Sequence, residues 1–237
     1  MFQTSQDSAA EIHTRSGSEI AEAVRDGELH ELTLGMGCFW GPDSRFGAMD
    51  GVVQTRVGYS GGTVDSPLYR NMPGHAEVTR VTFDPALIEF EELFEGFRNW
   101  LTPKKAFGSK YRPLIFAPSA EHNDAIHEWA RSITDPNARP QVAECGDTET
   151  RFWDAEAYHQ KWRLKKSNPD LAESLLERFG PAWDETELAT KLNGFEKDAL
   201  SNARAPLIRS LLGTPKERLL RRNNAAGDNL YKGNEKP

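Results

Sequence analysis

The chain has 237 residues, 38% of them hydrophobic and 27% charged, with a formal net charge of −7. That is enough for one generous domain with extensions, and the acidic balance argues against a nucleic-acid or anionic-membrane partner, since both require a basic face. Two cysteines, Cys38 and Cys145, are too few for a disulfide framework or a four-thiolate metal site, and neither a metal nor a bound organic cofactor is expected.

No segment approaches the roughly 18 consecutive apolar residues of a membrane span, and Met1-Phe2-Gln3-Thr4-Ser5-Gln6-Asp7 lacks the basic-then-apolar order of a signal peptide. The expected address is cytoplasmic, where both cysteines would be free thiols. The question is then whether either is reactive.

Residues 1–28 read as a polar N-terminal extension with one helix-like stretch, Glu19 to Val24. Leu32-Thr33-Leu34-Gly35-Met36 reads as a strand stopping at Gly37, followed by helical spacing from Trp40 through Phe46 and Met49 to the Asp50-Gly51 stop. Val52 to Tyr59 reads as a second strand running into the Ser60-Gly61-Gly62 turn, and Ala76 to Phe83 as a third, ended by Asp84-Pro85. Phe90, Leu93, Phe94 and Phe97 recur at helical spacing within 89–100. Leu114-Ile115-Phe116 reads as a short buried strand before a helix capped by Ser119. Gln141 to Cys145 reads as another strand, and helices are expected at about 154–166 and 169–179. Strands interleaved with helices predict an α+β domain over 29–180. Beyond Gly180-Pro181 the sequence predicts a helical extension over 181–213, with stretches near 185–193 and 195–212, then a disordered tail over 214–237.

The sharpest local signal is Gly35-Met36-Gly37-Cys38-Phe39-Trp40-Gly41-Pro42. A cysteine between a strand and a helix start meets unpaired backbone N–H groups, which favour thiolate and predict a lowered pKa. Gly37 permits a tight turn, and Pro42 in the first helical turn lacks only an N–H that has no helical partner. The residues alone leave the alternatives open: a lone cysteine is commonly a buried thiol, and Phe39 and Trp40 could be core rather than an apolar cup for a ligand.

Gly37-Cys38-Phe39-Trp40-Gly41 resembles the GCFWG signature of A-type peptide-methionine sulfoxide reductases. The resemblance continues through Gly51-Val52, Gly58-Tyr59-Ser60-Gly61-Gly62, Pro67-Leu68-Tyr69, Gly74-His75-Ala76-Glu77 and Val81-Thr82-Phe83-Asp84-Pro85. Farther on, Gly108-Ser109-Lys110-Tyr111-Arg112 is similar to GTQYR, Ala155-Glu156-Ala157-Tyr158-His159-Gln160 to AEDYHQ, and Lys191-Leu192-Asn193-Gly194-Phe195 to the LNGY segment. These blocks run in family order over about 32–195. The resemblance implies a two-layer α+β sandwich around a mixed sheet, with a ferredoxin-like core.

It also implies the chemistry. Methionine sulfoxide is a polar, chiral lesion. A thiolate attacks its sulfur, and a carboxylic acid kept neutral by desolvation protonates the departing oxygen. By resemblance Cys38 is the nucleophile and Glu77 the acid, Tyr69 and Tyr111 donate hydrogen bonds to the oxygen, and Phe39 and Trp40, with Gly37 beside them, cup the S-methyl group. On their own terms Glu77 could be a solvated strand residue, and Tyr69 and Tyr111 half-buried tyrosines. His75, two residues before Glu77, would share its face on a strand and is a further candidate around the substrate. The sulfenic acid left on Cys38 condenses with a thiol, either Cys145 as a candidate resolving cysteine or an external reductant of the thioredoxin or glutathione kind. Partners are therefore oxidised methionine, free or in proteins, and that reductant.

Two features depart from the family. The acidic position before GTQYR is Ala106, and Lys110 replaces the usual Gln. Loss of a hydrogen-bonding carboxylate costs ~1–3 kcal/mol, and Lys110 close to Glu77 would pull that acid toward its ionised form. Between Tyr69 and Gly74 stand only Arg70-Asn71-Met72-Pro73, a shortened loop at one rim of the pocket. These changes leave two other readings: a weakened member acting as a redox sensor or methionine-binding module, and a Cys38–His75 hydrolase, which lacks an orienting partner.

Overall fold

The computed structural model describes residues 14–101, 109–136, 139–144 and 150–194. Cys145, Ala106 and the expected helix and tail beyond 194 lie outside them.

One mixed sheet of six strands organises the molecule: β1 (His30–Gly35), β2 (Val52–Ser60), β3 (Ala76–Phe83), β4 (Leu114–Ala117), β5 (Gln141–Glu144) and β6 (Trp153–Asp154). Their spatial order is β5-β4-β1-β3-β2-β6. All neighbours are antiparallel except β4 and β5. The helices are α1 (Gly17–Arg25), α2 (Trp40–Gly47), α3 (Phe90–Trp100), α4 (Ala120–Ser132), α5 (Trp162–Ser167), α6 (Pro169–Phe179) and α7 (Glu187–Gly194). The fold is α+β, as expected.

The period-two pattern of the central strands divides the core. Leu32 and Leu34 of β1, Val81 and Phe83 of β3 and Ile115 of β4 pack with Phe46 of α2, Phe90, Leu93 and Phe97 of α3 and Ile126 of α4. Each such side chain contributes roughly 1.5–3 kcal/mol when fully buried. Val53 forms a separate cluster with Ile20 of α1 and Leu29, which ties the N-terminal stretch to the sheet. A capping box at Ser16, reciprocated by Glu19, starts α1.

α7, which the sequence places in an extension beyond 180, packs on α2. A Cβ on Gly47 would lie 2.8 Å from the Thr190 carbonyl oxygen, so only glycine permits this approach. Beneath α2 lies a fully buried polar network. Lys161 Nζ donates to Asp43 Oδ1 at 3.0 Å and also reaches the Thr55 carbonyl. Thr55 Oγ1 donates to Asp43 Oδ1 (2.6 Å), and Asn193 Nδ2 donates to Asp43 Oδ2 (2.8 Å).

One expected element is corrected. The segment read as a helix over 154–166 is β6, a turn, and then α5. Gln160 presents its side-chain amide to Val57, accepting from its N–H at 3.1 Å and donating to its carbonyl at 2.8 Å, in the manner of a neighbouring strand. Lys161 takes φ +49° as its chain turns down into the network. Tertiary hydrogen bonds outweigh a local helical preference worth tenths of a kcal/mol per residue.

Candidate active site

Cys38 lies between β1 and α2. Gly37, at φ +89°, makes the turn that a side chain would strain. Phe39 then caps α2 without a side-chain hydrogen bond, so free backbone N–H groups face the turn. The Trp40 N–H donates to Cys38, and the Phe39 N–H donates to Glu77 Oε2 at 3.1 Å. Consecutive residues of one turn thus bind the thiol and the carboxylate.

Glu77 is 1% exposed in β3, opposite Tyr59 of β2. Burial lifts its pKa to about 7, against the smaller lowering effects of the Phe39 N–H and of Lys110. The sequence-based concern that Lys110 would ionise Glu77 is therefore met: its charge is felt, and desolvation outweighs it.

The thiol differs from expectation. Cys38 is exposed to solvent, yet its pKa is raised, first by desolvation from the protein side and also by the charge of Glu77, against the Trp40 N–H, Arg163 and Lys110. The helix-start donor is present but does not prevail. Protonation of Glu77 removes one of the opposing contributions, so the thiolate and the neutral acid favour one another.

Around this pair stands an aromatic enclosure. Phe39, 1% exposed, packs with Val57, Tyr59, Met72 and Ala155. Trp40 is half-buried and stacks on Trp162, centroids 4.1 Å apart and planes 5° from parallel. Tyr69 and Tyr111 hydrogen-bond to one another, and Lys110 Nζ lies 4.2 Å and 5.0 Å from their ring centroids. Desolvation raises Tyr111 to about 12, so it stays a hydrogen-bond donor at neutral pH.

His75 does not share the face of Glu77 on a strand, because β3 begins at Ala76. It is 1% exposed, and its Nε2 lies 2.8 Å from the Val64 carbonyl, fastening the loop that follows β2. The short Arg70–Pro73 loop turns tightly, with the Leu68 and Asn71 backbones paired.

Sequence reasoning missed Glu156 and His159. Glu156 accepts from the Tyr59 hydroxyl (2.7 Å) and the Tyr69 N–H (3.0 Å). Burial would raise its pKa, but these hydrogen bonds hold it below the ordinary carboxylate value. His159 is 2% exposed and packs on Phe39 (5.0 Å) and Tyr69 (4.9 Å). Among the described residues neither of its ring nitrogens has a hydrogen-bond partner, and the Trp40 indole nitrogen also lacks one. Desolvation lowers His159 to about 4, so its imidazole is neutral near pH 7. The Ala155–Gln160 block carried the signal that could have found them. Among the described residues no three His, Cys, Asp or Glu side chains come together as metal ligands, and no helix is long and apolar enough to cross a membrane.

The peptide methionine sulfoxide reductase family model matches residues 30–183. A peptide methionine sulfoxide reductase of Drosophila melanogaster is 40% identical over 169 residues, covering 69% of this chain and 66% of the fly protein. One from Methanothermobacter thermautotrophicus is 36% identical over 146 residues, covering 57% and 86%. The solved methionine sulfoxide reductase A of Corynebacterium diphtheriae overlays with a TM-score of 0.50 at 24% identity, covering 60% of this chain and 76% of that one, and supports the fold. This chain belongs to the peptide methionine sulfoxide reductase family.

Proposed function

We propose that the protein reduces methionine S-sulfoxide, free or within proteins, to methionine. The observation that carries this reading is Glu77, a carboxylic acid buried beside the turn of an exposed thiol and held near pKa 7. Such an acid is half protonated at neutral pH and can deliver a proton to a departing oxygen. Cys38 thiolate attacks the sulfoxide sulfur, forming a sulfur–sulfur bond while the oxygen is protonated by Glu77. The oxygen passes to Cys38 as sulfenic acid, methionine leaves, and Cys38 has taken up the oxidation. Tyr69 and Tyr111 donate to the oxygen, Phe39 and Trp40 bound the S-methyl group, and Gly37 and His75 shape the surrounding turns.

One equivalent of an external thiol then converts the sulfenic acid to a mixed disulfide and water, and a second restores Cys38. A thioredoxin-like protein or a glutathione-type thiol fits this need, with Cys145 as a candidate for the first exchange. Because Cys38 must return to the thiol between turnovers, the cytoplasm is the compartment that suits the reaction.

The test is turnover of a racemic sulfoxide peptide with dithiothreitol, the epimers resolved by chromatography. The reading requires loss of the S epimer alone, abolished in Cys38→Ser. No turnover of either epimer by folded protein would sink it.

A further inference from the structure

Two cations reach the nucleophile. Lys110, on the 3-10 turn Ser109–Tyr111, places Nζ over the Tyr69 and Tyr111 rings and hydrogen-bonds with both hydroxyls. Its charge acts on Cys38, Glu77 and His159. Arg163 belongs to the first turn of α5, next to Trp162, whose stack on Trp40 brings that helix against the Cys38 turn. Arg163 is exposed, and its charge also reaches Cys38.

Among the described residues neither cation forms an ion pair. The neighbouring acids are engaged elsewhere. Glu77 is buried on the Phe39 N–H, Glu156 is held by Tyr59 and Tyr69, and Asp43 is held by Lys161. A mouth with two unpaired cations on a chain of net charge −7 is a local arrangement, not an overflow of global charge.

We infer that Lys110 and Arg163 form an anion-recognising mouth around Cys38, and that the preferred substrate carries a carboxylate close to its methionine sulfoxide. This rests on the reductase reading and names the substrate class within it. The carboxylate has two sources, the α-carboxylate of the free amino acid or an Asp or Glu side chain beside the oxidised residue. Both present a single negative charge a few bonds from the sulfoxide, which is what a half-buried ammonium and an exposed guanidinium can pair with.

The experiment compares kcat/KM for end-blocked S-sulfoxide peptides Glu-Met(O)-Glu, Gln-Met(O)-Gln and Lys-Met(O)-Lys, and for free methionine S-sulfoxide against its amide. Wild type, Lys110→Gln, Arg163→Gln and the double variant are measured at low and high salt. Because Lys110 also acts on Cys38 and Glu77, its removal changes every absolute rate, and the ratio of acidic to neutral substrate cancels that effect. Wild type is expected to favour one or both carboxylate substrates about tenfold at low salt. Each substitution should remove about three- to fivefold of the preference, and the double variant should show none. Preference confined to the free acid over its amide assigns the α-carboxylate; preference confined to the Glu-flanked peptide assigns the side chain. Ratios near one in wild type, or ratios unchanged in the variants, would overturn the inference while turnover of the neutral peptide leaves the reductase reading standing. Absence of turnover on every substrate would overturn both.

Discussion

Glu77, bonded to the turn into α2, and Asp43, within α2 itself, are two carboxylates with 1% and 0% exposure. Asp43 is surrounded by donors: Lys161 Nζ, Thr55 Oγ1 and Asn193 Nδ2. Glu77 has one backbone N–H and, among the described residues, no cation within ion-pairing distance. Around the Cys38 turn, both His159 ring nitrogens and the Trp40 indole nitrogen lack hydrogen-bond partners among the described residues. Burial is common to both carboxylates, so burial does not mark the reactive one. What separates them is completeness: a satisfied network fixes one geometry, whereas a site missing partners is shaped for something that arrives.

The contrast can be broken from either end, and the largest effect belongs to the thiol. Cys38→Ser should lower S-sulfoxide reduction at least about 10³-fold with the thermal transition unchanged. Residual activity near the wild-type rate would place the nucleophile elsewhere. Glu77→Gln keeps the shape and removes the proton; turnover should fall about 10²- to 10⁴-fold. Since Glu77 acts in its protonated form, the wild-type rate attributable to it should decline above about pH 7, a decline that Glu77→Gln abolishes.

Asp43→Ala tests the other carboxylate. It strands Lys161 as a buried charge and should destabilise the fold by about 3–5 kcal/mol, read as a lower denaturation midpoint. The double change Asp43→Leu with Lys161→Met should be milder than either single change. If Asp43→Ala instead left stability intact and removed activity, the division between the two carboxylates would be reversed.

Glu77 also leaves a mark on stability. Its folded pKa lies above the unfolded value of about 4.5, so its favourable contribution is complete below pH 4.5 and is lost as pH rises through about 7. Relative to Glu77→Gln, wild type should lose up to about 3 kcal/mol between pH 4.5 and 8, checked by denaturation at both ends. Parallel curves would contradict the raised pKa. The smallest expected effect is that of Tyr59→Phe, which removes the 2.7 Å hydrogen bond to Glu156 and should cost about 1.5–3 kcal/mol, with kcat/KM changing less than in Glu77→Gln.

Much of this was legible in the residues. β3 runs from Ala76 to Phe83 as expected, because Val78, Val81 and Phe83 are mixed with polar residues there and Asp84-Pro85 stops the strand. β2, α3 and α6 fall within a residue or two of their expected bounds for similar reasons. The Gly37–Gly41 block placed the thiol correctly at the head of α2. The direction of its pKa was not legible, since it depends on how far β3 and its carboxylate close over the turn. Residues 154–161 resisted for a different reason. Glu156, His159, Gln160 and Lys161 look like ordinary helix-surface residues, and each turns inward to partners distant in sequence. Lysine is almost never fully buried, so nothing local announces that Lys161 is.

Whether Cys38 itself takes the oxygen is read from a single turnover without reductant. Cys145→Ser protein, mixed with excess methionine S-sulfoxide, would be analysed by intact and peptide mass spectrometry with a sulfenic-acid trap. The expected products are one methionine per chain and one trapped sulfenic acid on the peptide containing Cys38, with neither from the R epimer. Methionine formed while Cys38 remains an unmodified thiol would contradict Cys38 as the acceptor of the oxygen.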